Sequence, residues 1–108
     1  GKKKNIKMNE TIMSLKKGPF PKKYTATIRN DKTKTTRILH FGDRRYEQFK
    51  DRTNLGIYTK KNHGDKRRQK NYYNRHSGKT VRKKAIYKEK MKGNRYYTPK
   101  LLSHIYLW

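Results

Sequence analysis

The sequence predicts a small single-domain α+β protein, in which an N-terminal β-hairpin packs on a basic central helix and on an apolar C-terminal helix. Apolar and polar residues alternate over residues 22–41, a pattern typical of paired strands. Residues 62–76 carry a helical pattern with recognisable start and stop signals. Apolar residues recur at helical spacing within residues 98–108. We expect the domain to span residues 22–108, preceded by a flexible basic arm at residues 1–21.

The predicted arm differs in composition from the domain. Residues 1–17 mix many lysines with only scattered apolar residues. A segment that can bury so little apolar surface does not fold alone, so we expect an extended arm that becomes ordered only on a partner. Gly18, Pro19 and Pro21 break any helix and mark the boundary between arm and domain.

The hairpin prediction depends on alternation and on a turn signal. Tyr24 and Ile28 lie on the apolar side of the first strand, and Phe41 belongs to the returning strand. Asn30 and Asp31 supply the residue types that a turn prefers. The segment after the hairpin, up to the central helix, reads as a short helix or a connecting turn followed by a loop.

The central helix is marked at both ends. Asp65 is a favourable N-cap, and its carboxylate lies near the positive end of the helix dipole. Ser77 and Gly78 end the helix, because glycine tolerates the left-handed conformation found after a helix. One face carries residues at three- and four-residue steps, namely Asp65, Arg68, Tyr72, Arg75 and His76. The helix therefore offers cations and aromatic rings rather than aliphatic side chains.

Two further helices are predicted. Residues 80–92 form a weakly amphipathic pattern that ends at Gly93, within a segment, residues 79–95, that we expect to be an exposed basic insert. Thr98 and Pro99 form an N-cap and first-turn pair. The apolar stripe that follows should close the core, and it consists of Leu101, Leu102, Ile105 and Trp108.

The charge of the chain points to a polyanionic partner. The 108 residues include 32 Lys and Arg against 7 Asp and Glu, a formal net charge of +25. Neighbouring carboxylates cannot neutralise such an excess, and nucleic acid is the partner that it fits best. A membrane surface is disfavoured, because no basic segment has a continuous apolar face and no apolar run reaches the ~18 residues of a membrane span.

Neither a metal site nor a catalytic site is predicted. The chain has no cysteine, which excludes disulfides and thiolate metal ligands. Its histidines lack the paired spacing of zinc ligands. A His-Asn-His nuclease would need His63 and His76 close together, but they bracket one helix. We therefore predict a protein that is not an enzyme and has no cofactor and no small-molecule substrate.

Basic and aromatic residues interleave in three places, around residues 44–49, 66–76 and 93–100. Arginine and lysine neutralise phosphates, while an exposed tyrosine can stack on a base. Tyr46, Tyr72 and Tyr97 are more simply explained as core residues, since aliphatic side chains are scarce. The predicted nucleic-acid-binding residues are Arg44, Arg45, Lys66, Arg67, Lys70, Arg75, Lys79, Arg82, Lys83 and Lys84.

A set of spaced residues consists of FG, D, H-x-D, R-x-x-x-Y-x-x-R-H and a closing LW, and it covers roughly residues 24–108. This set resembles the pattern of a family of small basic virion-associated proteins of large DNA viruses of eukaryotes. Its structural positions are His40, Gly42, Asp43, Asp51, His63, Asp65, Arg68, Tyr72, His76 and Trp108. The resemblance implies a nucleoid or capsid component located in the virion. We interpret the pattern mainly as a fold signature whose acids and arginines form a buttressing salt-bridge network.

Together these observations predict a non-enzymatic protein that binds double-stranded DNA with little sequence preference and coats or compacts a viral genome. Two alternatives stay open. The chain could be a minor capsid protein that bridges capsid subunits and contacts itself or other virion proteins. It could instead be an RNA-binding module of the ribosomal type, for which the composition is equally suitable.

Overall fold

The computed structural model describes residues 6–108, which form a three-stranded antiparallel sheet followed by three α-helices. The elements are β1 (Glu10–Lys17), β2 (Lys22–Asn30), β3 (Thr36–Asp43), a 3-10 turn (Thr59–Lys61), α1 (Lys66–Ser77), α2 (Arg82–Lys92) and α3 (Pro99–Tyr106). Helix α3 packs on β3 and on α2, and α2 packs on α1. The predicted α+β fold class is confirmed, but the hairpin packs mainly on α3 and not, as predicted, on the basic helix α1. No helix in the described range is long and apolar enough to cross a membrane.

The sheet has one strand more than the predicted hairpin, because β1 forms where a flexible arm was expected. β1 pairs antiparallel with β2, and its Ile12 and Leu15 pack against the core. Glu10 is buried and accepts two hydrogen bonds from the guanidinium group of Arg37 on β3, at 2.8 and 2.9 Å. The prediction of an arm is therefore wrong for β1, since long-range pairing supplies the order that local composition lacks. Residues 1–5 lie outside the described range.

The hairpin prediction is confirmed, and its apolar side forms the main core. β2 and β3 pair so that Tyr24 lies opposite Phe41, and the rings of these two residues are 5.9 Å apart. The buried cluster consists of Tyr24, Ala26, Ile28, Phe41, Leu102 and Leu107. Gly42 follows at a φ of +77°, and a Cβ atom there would lie 2.8 Å from Leu107 Cδ1. Glycine at this position thus lets β3 approach the C-terminal segment closely.

The segment between β3 and α1 has no α-helix and is held by buried polar side chains. Asp51 accepts hydrogen bonds from the Tyr24 hydroxyl and from Thr53 Oγ1, the latter at 2.6 Å. Gln48 is fully buried and donates to the carbonyl of Tyr58 at 2.8 Å. The side chain of Tyr46 is 66% exposed, so the prediction that it packs as a core residue is wrong.

The helix boundaries follow the predicted signals. Asp65 accepts hydrogen bonds from the first-turn amides of α1, and Gly78 ends the helix in the left-handed conformation. Thr98 caps α3 by accepting from the amide of Leu101 at 3.1 Å. The prediction of an exposed insert at residues 79–95 is wrong in one respect. α2 buries Ala85 and Glu89 against its neighbours, because a small residue allows the helices to approach.

Candidate nucleic-acid interface

The outer side of α1 carries exposed cations. Lys66, Arg67 and Lys70 are exposed, and none of the three forms an ion pair within residues 6–108. Lys79, Lys83 and Lys84 are also exposed, and they lie between the end of α1 and the first turn of α2. We call these six residues the outer cations. Exposed residues of this kind can be reached by phosphate groups.

Two of the predicted binding residues have structural partners instead. Arg44 donates to the carbonyl groups of Lys22 and Gly18, at 3.4 and 3.3 Å. Arg82 donates to the carbonyl of Ile105 at 2.8 Å and so satisfies an acceptor at the end of α3. Both guanidinium groups help to join segments that are distant in the sequence. Arg44 and Arg82 are therefore poor candidates for DNA binding, because their guanidinium groups would first have to give up these carbonyl partners.

A groove with a volume of about 750 Å³ opens between the end of the hairpin, α1 and α3. Six cationic side chains line it against two carboxylates, those of Asp43 and Glu47. These cations are Lys22, Lys23, Arg45, Arg68, Arg75 and Lys100. Its apolar lining includes Phe41, Tyr72 and Trp108. We call this space the basic groove, and it brings together two predicted binding residues, Arg45 and Arg75, from separate elements.

The carboxylates of the groove form separate ion pairs. Arg45 Nη2 lies 2.7 Å from Asp43 Oδ2, and Arg68 Nη1 lies 2.8 Å from Glu47 Oε1. Hydrogen bonds from Arg45 hold the pKa of the Asp43 carboxyl well below its usual range. Hydrogen bonding to Arg68 likewise lowers the pKa of Glu47.

The predicted salt-bridge network is therefore wrong. Asp43 pairs with its own neighbour, Asp51 binds hydroxyl and amide groups, and Asp65 caps a helix. Arg75 hydrogen-bonds to no other side chain in the described part of the chain, and its cation remains available in the groove. Each of these carboxylates thus has a separate local role, because its hydrogen-bond donors lie within a few residues of it or on a side chain that packs against it.

Lys23 occupies the floor of the basic groove and is almost completely buried, at 2% exposure. Its ammonium group donates to the carbonyl of Tyr46 at 2.9 Å and to the side-chain oxygen of Gln48. Burial lowers the pKa of Lys23 to about 8. The sequence pattern did not single out this lysine, because it lies among many other lysines and only the fold buries it.

Below α1, a continuous set of polar groups joins the three helices. His104 is fully buried, and its ring nitrogens lie 2.9 Å from the Tyr72 hydroxyl and 2.8 Å from Ser77 Oγ. Ser77 Oγ also donates to Glu89 Oε2 at 3.0 Å. Burial is the main reason that the pKa of His104 falls to about 4, and three neighbouring cationic or basic side chains lower it further. The imidazole is therefore neutral at pH 7 and acts as a structural link.

Several other residues of the sequence pattern contact one another or a nearby polar group. His63 accepts from the amide of Asp65 at 2.9 Å, and its ring lies 5.3 Å from that of Trp108. Trp108 stacks on Tyr72 with ring centroids 4.2 Å apart. His40 lies within hydrogen-bond distance of Thr25 Oγ1, at 2.7 Å. These contacts support the interpretation of the pattern as a fold signature, although Arg68, Arg75 and His76 also line the groove.

Comparisons with known proteins leave the family of the chain open. No family model, no curated protein and no solved structure matches it. Within residues 6–108, no group of three or more His, Asp or Glu side chains is placed to hold a metal ion. The functional argument therefore depends on the charge and geometry of the surface.

Proposed function

We propose that this protein binds the phosphate backbone of double-stranded DNA with little sequence preference and coats or compacts a viral genome. The observation that carries the proposal is the exposed position of the outer cations on a chain with a formal charge of +25. Lysine and arginine ends that protrude into solvent contact phosphates irrespective of the base pairs between them. The protein is a binding component and not an enzyme.

The arrangement of the cations on helix α1 supports binding to the phosphate backbone. Lys66, Arg67 and Lys70 belong to a helix whose N-cap and C-cap are both formed, so their backbone is fixed before DNA arrives. Within residues 6–108 these three side chains form no ion pair, so binding does not first have to break one. Because each phosphate contact releases a counterion, affinity should depend steeply on salt concentration.

The resemblance to small virion-associated proteins of large DNA viruses supports a viral genome as the target. Residues that carry this resemblance also contact one another in the fold, since Trp108 at the C-terminal end stacks on Tyr72 of α1. A packaged genome offers a high density of phosphates, which suits a basic protein that contacts the phosphate backbone. We accordingly place the protein in the virion, at the nucleoid or at the inner face of the capsid.

The test is a salt titration of binding to unrelated DNA duplexes of equal length, followed by fluorescence anisotropy of labelled DNA. If one molecule neutralises ~5 to 10 phosphates, the slope of log K against log salt should be about −4.5 to −9. The affinities for the different duplexes should agree. A slope near zero, or a strong preference for one sequence, would contradict the proposal.

Two controls separate the alternative functions. An acidic protein of similar length tests whether the charge serves protein assembly, and equal binding to it would favour a capsid role. A structured RNA at the same salt concentration tests the RNA-binding alternative. Tighter binding to this RNA than to duplex DNA would favour the ribosomal type of module.

A further inference from the structure

The basic groove has the size and the lining of a site for one small ligand. Its volume of about 750 Å³ lies within the ~300 to 1,000 Å³ typical of ligand pockets. Cations reach it from three directions, with Arg45 after the hairpin, Arg75 on α1 and Lys100 on α3. Such convergence on one space differs from the arrangement of the outer cations, which are exposed on the surface. It indicates an anion that is enclosed by the protein on several sides.

The groove also offers an accessible aromatic ring. Tyr46 lines it and is 66% exposed, and the guanidinium carbon of Arg45 lies 6.0 Å from the centre of its ring. The main chain at this tyrosine is held by the buried Lys23, whose ammonium group donates to the Tyr46 carbonyl at 2.9 Å. An exposed ring on a fixed backbone can stack on a planar base. The ligand that fits thus combines negative charge with a flat ring.

The cations of the groove differ in how firmly they are held. Arg68 and Arg45 are oriented by Glu47 and Asp43, which keep the two guanidinium groups at the groove. Arg75 hydrogen-bonds to no other side chain within residues 6–108, and Lys100 donates only to the carbonyl of His76, at 3.3 Å. Arg75 and Lys100 can therefore turn toward a phosphate without losing an ion pair.

We propose that the basic groove binds a single nucleotide, with its phosphates between Arg75 and Lys100 and its base stacked on Tyr46. The ligand is either a free nucleoside polyphosphate or the phosphorylated end of a nucleic-acid strand, which share this chemistry. The site goes beyond the proposed coating of duplex DNA, because it uses groove residues and an aromatic ring rather than the outer cations.

The single tryptophan of the chain provides a direct probe of the groove. Trp108 lines the groove and stacks on Tyr72, so a bound anion or base beside it should change its fluorescence. We expect a saturable change with one ATP per protein, and a weaker but saturable change with pyrophosphate. A linear response without saturation in both titrations would overturn the proposal.

Variants test which groove residues bind the phosphates of the ligand and which residue stacks on its base. Arg75→Gln and Lys100→Gln should each weaken both ATP and pyrophosphate by about tenfold or more, since a charged hydrogen bond is lost. Tyr46→Ala should weaken ATP by about tenfold and leave pyrophosphate unchanged, because only the base stacks. Tyr87→Ala and Lys92→Gln are matched controls on the exposed surface of α2, and both should bind ATP and pyrophosphate as the wild type does. Equal losses in controls and groove variants would contradict the proposal.

Competition distinguishes the two sources of the nucleotide. A short 5′-phosphorylated oligonucleotide and its 5′-hydroxyl counterpart are each added to the complex with ATP. Displacement by the phosphorylated strand alone identifies a strand end, and displacement by neither identifies a free nucleotide. Equal displacement by both strands would mean that the terminal phosphate is not recognised, which contradicts the assigned phosphate position.

Duplex binding is measured on the same samples by anisotropy, so that the two proposals can fail separately. Loss of the ATP signal with duplex binding intact overturns only the nucleotide site. The reverse result overturns only the coating function. Thermal unfolding of each variant shows whether it is folded, and the wild-type titrations with ATP and pyrophosphate test the site without any substitution.

Discussion

The two faces of α1 are both polar, but the side chains of one face are buried and hydrogen-bonded whereas those of the other are exposed. The inner face presents Tyr73 and Ser77, which are buried and hydrogen-bonded to α3 and α2. The outer face presents Lys66, Arg67 and Lys70, which are exposed and have no ion-pair partner in the described range. The presence of a partner, more than polarity or charge, therefore separates residues that stabilise the fold from residues that can bind.

The inner face works as a core because nearly every polar atom on it has a partner. The hydroxyl of Tyr73 donates to the carbonyl of His104 at 2.9 Å, and the ring of His104 bridges Tyr72 and Ser77. A buried polar group without a partner is costly, whereas a complete set fixes the arrangement of the helices. This explains how a chain poor in aliphatic residues holds three helices together.

The largest expected effect comes from removing a ring of the inner face. Tyr73→Ala leaves a cavity beneath α1 and breaks the hydrogen bond to α3, and we expect the free energy of unfolding to fall by about 3 to 5 kcal/mol. Tyr73→Phe, which keeps the ring and removes only the hydroxyl, should cost about 1 to 3 kcal/mol. Chemical denaturation measures both. A loss below about 1 kcal/mol for the alanine variant would show that this face does not stabilise the fold.

Acid should weaken the same face through His104. Its pKa is about 4 in the folded protein, mainly because of burial, and about 6.5 when unfolded. Between these values the unfolded chain binds the additional proton, so stability falls as the pH decreases from about 6.5 to about 4. One proton over this interval corresponds to about 3 kcal/mol. Denaturation at several pH values should show this decrease, and His104→Gln should flatten it; an equally steep profile in the variant would exclude His104 as its source.

A smaller effect is expected where two helices share one hydroxyl. Ser77→Ala removes the group that accepts from His104 and donates to Glu89. The buried Glu89 carboxylate and the Nε2 atom of His104 then lose this partner, and we expect a loss of about 2 kcal/mol. Ser77→Thr retains a hydroxyl and serves as the control. If the alanine and threonine variants were equally stable, the Ser77 hydroxyl would not contribute to holding the helices together.

The smallest effect on stability belongs to the outer face. In the triple variant Lys66→Gln, Arg67→Gln, Lys70→Gln, each new residue has a helix propensity similar to that of the residue it replaces. We expect the free energy of unfolding to change by less than about 0.5 kcal/mol, because these side chains form no side-chain hydrogen bond or ion pair within residues 6–108. Thermal and chemical unfolding check this. A large destabilisation would mean that the outer cations belong to the fold.

Local signals predicted much of the fold. Alternation marked the hairpin, while Asp65, Gly78 and Thr98 marked helix ends that the structure confirms. β1 was missed because its order depends on pairing with β2 and on the contact between Glu10 and Arg37, which are far apart in the sequence. The composition of a segment does not show which distant residues will pair with it.

The candidate site was predictable only in part. The exposed cations of α1 could be predicted from the sequence, because the N-cap Asp65 fixes where the helix begins and therefore which residues share a face. The basic groove joins Arg45, Arg75 and Lys100 from separate elements, and no local spacing shows that they meet. Arg44 and Arg82 illustrate the converse, since sequence reasoning cannot show that the fold already uses their guanidinium groups.

The most direct test of the division between partnered and unpartnered groups is the salt dependence of duplex binding by the outer-face triple variant. Loss of three phosphate contacts should make the slope less negative by about 2.7, because each contact contributes about 0.9. A control variant with the same loss of charge, Lys16→Gln, Lys32→Gln, Lys34→Gln on the sheet and its turn, should change the slope less. A slope equal to that of the wild type in the outer-face variant would contradict the account.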